Sequence, residues 1–117
     1  MLTLQSGKTF TVDEKVRKED WPDILLEYWS NYERRIPGWV AKDLACDYIA
    51  YAMVPSQTCH FLPFHLLRQA WRKNRQEWVG TYRRVEAKNK TYTTISVPVP
   101  TQVLLDSLRD SMTVTWP

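Results

Sequence analysis

Residues 47–63, Asp-Tyr-Ile-Ala-Tyr-Ala-Met-Val-Pro-Ser-Gln-Thr-Cys-His-Phe-Leu-Pro, decide the fold class. Two strand-like runs, 47–54 and 58–62, flank the turn signal Pro55-Ser56, and this order predicts an antiparallel hairpin. Pro63 then opens a helix, because proline is well tolerated in the first helical turn. A hairpin that leads directly into a helix favours an α+β architecture.

The segment that follows Pro63 carries an apolar stripe at helical spacing, and Gly80 is expected to end this helix. Trp71 and Trp78 lie on the same helix side, which favours core packing over stacking on nucleobases. The predicted buried side consists of Leu67, Ala70, Trp71, Asn74 and Trp78.

Strand-like runs also precede the hairpin. Residues 2–4 and 9–17 flank a turn signal at Ser6-Gly7. The run 23–30 is apolar on both sides, which is typical of a central strand. It is expected to pair antiparallel with 9–17, because the connection between them is short.

The remaining elements complete the fold prediction. Trp39 is expected to cap the core from the polar excursion 31–42, and residues 92–97 form another strand. Pro100 opens a short helix with Val103, Leu104 and Leu108 on its core side. We therefore predict an α+β fold with a small mixed, mainly antiparallel sheet and two packed helices.

Length and composition limit the classes of protein. A chain of 117 residues with 44% apolar residues and six tryptophans suits one folded domain, 1–117. No apolar run is long enough to span a membrane, and residues 1–7 lack a signal-peptide pattern, so we expect a cytoplasmic protein. Cys46 and Cys59 are expected to be reduced structural thiols, because they lack metal-site spacing.

Charge is distributed unevenly along the chain. Residues 1–67 carry seven Lys/Arg and nine Asp/Glu, whereas residues 68–117 carry nine Lys/Arg and four Asp/Glu. A basic half beside an acidic half points towards nucleic acid, with a solvated helix surface as the alternative. The residues predicted to contact a nucleic-acid backbone are Arg17, Arg68, Arg72, Lys73, Arg75, Arg83, Arg84, Lys88 and Lys90.

The triplet Asp13-Glu14-Lys15 lies inside the strand-like run 9–17. Strand side chains alternate between faces, so Asp13 and Lys15 share one face and Glu14 lies on the other. A carboxylate that binds a divalent metal and an ammonium beside it suit phosphodiester chemistry, and the alternative is a solvated strand face on which the Asp and the Lys pair with each other. If the strand 23–30 is a neighbour in the favourable register, Glu27 approaches this face as a second carboxylate, whereas a slip of one residue would swap the faces.

Acid-x-Lys on a strand of a small mixed sheet resembles the second half-motif of the PD-(D/E)XK nuclease superfamily, and in particular its phage- and prophage-borne members. The resemblance implies a restriction-endonuclease-like fold and hydrolysis of DNA with Mg²⁺ or Mn²⁺, in a bacterial or phage-infected cell. It implies that Asp13 binds the metal, that the Glu14 carbonyl is a further ligand, and that Lys15 activates the attacking water. A homodimer would allow both strands to be cut.

The chain departs from this family pattern in two ways. The superfamily places an earlier helix and strand, with the first metal-binding Asp, before the triplet, whereas no acidic residue precedes Asp13 here. Either Glu27 replaces that Asp or the chain is a truncated form. The middle position of the triplet is usually apolar and here is Glu14. The alternative function is an inactive remnant of the fold that binds nucleic acid or a partner protein.

Overall fold

The computed structural model describes residues 9–108 and 113–117, together with the backbone of residues 2–3 and 112. These residues form ten strands and two helices. The elements in chain order are β1 (Leu2–Thr3), β2 (Thr9–Phe10), β3 (Val12–Arg17), β4 (Asp23–Asn31), β5 (Ile36–Pro37), β6 (Tyr48–Met53), β7 (Thr58–Pro63), α1 (Phe64–Thr81), β8 (Val85–Lys88), β9 (Thr93–Pro100), α2 (Thr101–Asp106) and β10 (Met112–Thr115).

The first sheet has the strand order β10-β7-β6-β3. Strands β6 and β7 form the predicted antiparallel hairpin, in which Ile49 lies opposite Leu62. Strand β3 runs parallel to β6 and places Lys15 opposite Tyr51. Strands β1 and β2 pair antiparallel as predicted, while Leu4 and the predicted turn at Ser6-Gly7 lie outside the described residues.

The second sheet has the order β5-β4-β9-β8 and is antiparallel throughout. Strand β4 is central, as its two apolar sides predicted, and pairs with β9 so that Ile24 lies opposite Val99. The register shifts between Glu27 and Trp29, which leaves Tyr28 as the extra residue of a β-bulge.

The expected pairing of 9–17 with 23–30 is wrong, because β3 and β4 belong to different sheets. Burial explains the choice of partner. Ile24 and Leu26 become fully buried when β4 pairs with β9, whose Val97 and Val99 are fully buried as well. The half-charged strand β3 offers no comparable apolar surface to β4.

Helix α1 packs through the predicted side. Leu67, Ala70, Trp71 and Trp78 are buried, while Asn74 is half-buried and its side-chain amide donates to the Ala70 carbonyl at 2.9 Å. The tryptophans therefore belong to the core, as predicted. The helix extends one residue past Gly80.

The core lies between the inner side of the first sheet, one side of the second sheet and the two helices. Trp39 is buried, as predicted, and so are Leu104 and Leu108, but Val103 is 37% exposed and does not face the core. Both cysteines are free thiols. The α+β class, the mainly antiparallel pairing and the two helices are confirmed, with eight strands in two four-stranded sheets and β1 and β2 in a separate two-stranded one. Neither described helix has the length and apolar character needed to cross a membrane.

Candidate functional site

Strand β3 alternates as the sequence predicts, but its apolar side is not the core side. Asp13, Lys15 and Arg17 are half-buried, while Glu14 and Val16 are exposed, with Val16 at 59%. The charged residues therefore lie on the sheltered side of an edge strand. The Glu14 side chain lies on the exposed side, so its carboxylate is solvated.

Lys15 lies at the centre of this charged group. Its Nζ is 3.2 Å from Asp13 Oδ2, and the two side chains are only 30% and 40% exposed. The same Nζ lies 5.6 Å from the centre of the Trp39 ring, which adds a cation–π contact. The ammonium is thus held in one place by a carboxylate and an aromatic face.

Glu27 lies close enough to Lys15 for the two charges to interact. Burial raises the pKa of the Glu27 carboxyl, and the nearby cations of Lys15 and Lys42 oppose the shift. Lys15 and Glu27 line a common open cleft of about 390 Å³, to which Trp39 and Tyr51 also contribute. The structure therefore places Lys15 beside Asp13 and within range of a charge interaction with Glu27, although β3 and β4 do not pair.

The loop after β5 holds Glu27 in position. The Gly38 amide donates to the Tyr28 carbonyl at 2.9 Å, and the Val40 amide donates to the Glu27 carbonyl at 3.2 Å. A Cβ on Gly38 would overlap the Glu27 backbone and its Cγ, so only glycine permits this close approach. Trp39 enters the cleft from the same loop.

Tyr51 links the two sheets beside the cleft. Its hydroxyl accepts hydrogen bonds from Arg17 Nη1 at 2.6 Å and from the Leu25 amide at 3.0 Å. Arg17 also lies over the Trp21 ring and near Asp23, whose pKa burial raises and Arg17 lowers. Arg17, predicted to contact nucleic acid, thus makes contacts within the protein. Sequence reasoning missed Tyr51, because its alternation marks it only as a core residue.

Two of the other predicted nucleic-acid contacts make ion pairs within the protein. Arg68 pairs with Asp43 at 3.0 Å, and Arg84 pairs with Glu86 at 2.9 Å. Helix α1 lies on the core side of the second sheet, where Trp71 meets Tyr28, whereas the cleft opens on the other side. Strand β8 borders the cleft through Val85 and Ala87. The remaining predicted cations are all exposed: Arg72, Lys73, Arg75, Arg83, Lys88 and Lys90.

Glu27 lines the cleft, and Asp13 adjoins it through its ion pair with Lys15. Within residues 9–108 and 113–117, no three His, Cys, Asp or Glu side chains come together as a metal-ligand cluster. Magnesium often binds through one or two carboxylates and keeps several waters. Asp13 and Glu27 are the carboxylates beside Lys15 that could bind it in this way.

The comparisons with known proteins add nothing to this geometry. No family model, no curated protein and no solved structure matches the chain.

Glu27→Gln is expected to flatten the dependence of stability on pH. A carboxyl with a raised pKa stabilises the folded state fully below its unfolded value of 4.5, and this contribution is lost as pH rises through the folded value. Urea unfolding at several pH values above 4.5 should show wild-type stability falling relative to the variant. Burial lowers the pKa of His60, which gives the opposite slope near neutral pH. The His60 contribution is the same in wild type and Glu27→Gln, so it cancels in the difference between their free energies of unfolding. A difference that stays constant with pH would contradict the prediction.

Proposed function

We propose that this chain hydrolyses phosphodiester bonds of DNA with Mg²⁺ or Mn²⁺, through Asp13, Lys15 and Glu27. The observation that supports the proposal is the position of Lys15. Its ammonium is fixed beside the Asp13 carboxylate and interacts with the half-buried Glu27 inside one open cleft.

The energetic character of this group favours function over packing. Burying charge is costly, and an exposed ion pair stabilises a fold by only about 0–1 kcal/mol. A carboxyl whose pKa is shifted by burial beside a specific cation, in a cleft, is a typical feature of active sites. Asp13 and Lys15 lie on a strand of the first sheet, and Glu27, which interacts with Lys15, lies on a strand of the second.

Each residue has a chemical role in the proposal. Asp13 and Glu27 would hold the cation, and the Glu14 carbonyl is the further ligand that the family resemblance implies. Lys15 would orient the attacking water and lower its pKa, since a neighbouring cation favours the deprotonated form. When bound, the cation would supply charge stabilisation for the phosphate oxygens. The ion pair with Asp13 keeps the Lys15 ammonium beside the carboxylate that would hold the cation.

A second candidate is nucleic-acid binding without hydrolysis. The exposed cations of α1 and of the β8 segment favour it, because contacts with phosphates supply most of the non-specific affinity of such proteins. In this case binding to DNA falls with salt and does not depend on Mg²⁺ or on Lys15.

Hydrolysis is tested with supercoiled plasmid DNA in Mg²⁺, in Mn²⁺ and in EDTA. We expect nicking by the wild type with either cation and none in EDTA. The nicking rate of Lys15→Ala should be lower by at least about 100-fold. Lys18→Ala is the matched control, because Lys18 is exposed just beyond the end of β3. It should nick as fast as the wild type.

Circular dichroism should show that both lysine variants are folded, because Lys15 makes only a half-exposed ion pair. Equal nicking by wild type and Lys15→Ala, or none by either, overturns the hydrolytic proposal. Binding to DNA that is weakened by salt and unchanged by Lys15→Ala would then support the second candidate.

A further inference from the structure

The β-bulge in β4 directs two consecutive aromatic side chains to the same side. Regular alternation would place Tyr28 and Trp29 on opposite faces of the sheet. The extra residue at the bulge re-aims one of them, and both line one open pocket of about 710 Å³. Such a volume is typical of sites that bind small molecules.

The walls of this pocket are mainly apolar and aromatic. Trp71 of α1 lies against Tyr28, with ring centres 5.4 Å apart and the rings tilted by 34°. Pro37 from β5 and Val79 from α1 add further apolar surface to the lining. The pocket therefore offers flat π surfaces that are held in place by the core.

Guanidinium groups surround these aromatic walls. Arg75 lines the pocket directly and is exposed on α1. Arg35 lies over Trp29 at 5.6 Å from the ring centre and over Tyr32 at 4.0 Å. Arg84 is close enough to Tyr28 to oppose the rise in pKa that burial causes there, although Glu86 pairs with it. Arg75 thus supplies one cation in the lining, and Arg35 supplies a second one beside Trp29, where its Nη1 also donates to the Tyr32 carbonyl.

We propose that this pocket binds one unpaired nucleotide, with its base on Trp29 and Tyr28 and its phosphate at Arg35 and Arg75. Every nucleobase presents a flat π face, and arginine binds phosphate with its planar fork. A ligand that is both flat and anionic matches the walls and the two arginines together. The pocket lies on the other side of the second sheet from the cleft lined by Lys15 and Glu27, so this proposal does not rest on hydrolysis.

The test measures binding in EDTA, where hydrolysis plays no part. Fluorescence anisotropy compares a labelled single strand of about 12 nucleotides with an abasic strand of equal length and charge. We expect the strand with bases to bind about tenfold more tightly, since stacking of one base is worth roughly that factor. Trp29→Ala should remove this advantage. Trp116→Ala, on the outer side of the first sheet, should retain it.

Arg75→Ala provides a variant that leaves the core untouched, because Arg75 is exposed on a helix. It should weaken binding of both strands and keep their ratio. If a free nucleoside monophosphate displaces the labelled strand, the pocket binds free nucleotides. If it does not, and binding of the strand still depends on its bases, the pocket binds a nucleotide within a strand. Equal affinity for the two strands, or equal losses in Trp29→Ala and Trp116→Ala, overturns the proposal.

Discussion

Gly38→Ala is expected to lower the free energy of unfolding by about 2–4 kcal/mol. A Cβ at this position would lie closer than 3.0 Å to the carbonyl carbon and Cγ of Glu27. The loop cannot retreat without losing the hydrogen bonds from Gly38 to Tyr28 and from Val40 to Glu27. The strain therefore falls on the backbone of β4, next to the cleft.

The chain contains a matched control for this substitution. A Cβ on Gly80 meets nothing within 4 Å, and Gly80 lies inside helix α1. Gly80→Ala should therefore raise stability by up to about 1 kcal/mol, because alanine favours the helix over glycine. Urea unfolding followed by tryptophan fluorescence measures both variants. Equal stability of Gly38→Ala and wild type would contradict the close packing of Gly38 on Glu27.

Trp71→Ala is expected to lower the free energy of unfolding by about 3–5 kcal/mol. The side chain is 4% exposed, so its removal leaves a large cavity between α1 and β4. The substitution also removes the ring that supports Tyr28. Thermal and urea unfolding should both report the loss, and Tyr28 should lose its fixed position in the pocket.

Trp21→Ala serves as the comparison for Trp71→Ala. Trp21 is 44% exposed and contacts the Arg17 guanidinium, so its loss should cost no more than about 1 kcal/mol. The ratio of the two effects checks the core assignment independently of the absolute values. Similar losses for both tryptophans would contradict the burial of Trp71.

The segment that sequence predicts best is the hairpin and helix at 47–81. Its signals are local, since turn residues, alternation and helical spacing all lie within the segment itself. The buried side of α1 follows from the spacing of Leu67, Trp71 and Trp78. Burial of Trp39 was also predicted, because a large aromatic residue within a polar excursion has few other places to pack.

Pairing between distant strands could not be predicted in the same way. The partner of β4 is β9, which follows much later in the chain, and a short connection to β3 is no guide to that choice. The short strands β5, β8 and β10 show little alternation of apolar and polar residues. Each is an edge strand that is hydrogen-bonded to the neighbouring strand of its sheet. The parallel pairing of β3 with β6 also depends on contacts that no local signal contains.

The candidate site was predicted in part. The sequence indicated Asp13 and Lys15 on one strand face, with Glu27 as a second carboxylate, and Lys15 pairs with Asp13 and interacts with the charge of Glu27. The predicted pairing of the two strands was wrong, because β3 and β4 belong to different sheets and Lys15 and Glu27 face each other across a cleft. The bulge at Tyr28 was not predictable, since the alternation of 23–30 places Trp29 on the face of Glu27.

The two sheets are interleaved along the chain, and this has a consequence for folding. The chain leaves the first sheet after β3, begins the second with β4, returns for β6 and β7, and then changes sheet twice more. A fragment that ends before β9 lacks the partner of β4, and one that begins after β3 lacks the parallel partner of β6. Both sheets must therefore form in a single cooperative event, which is slow because its contacts join distant residues.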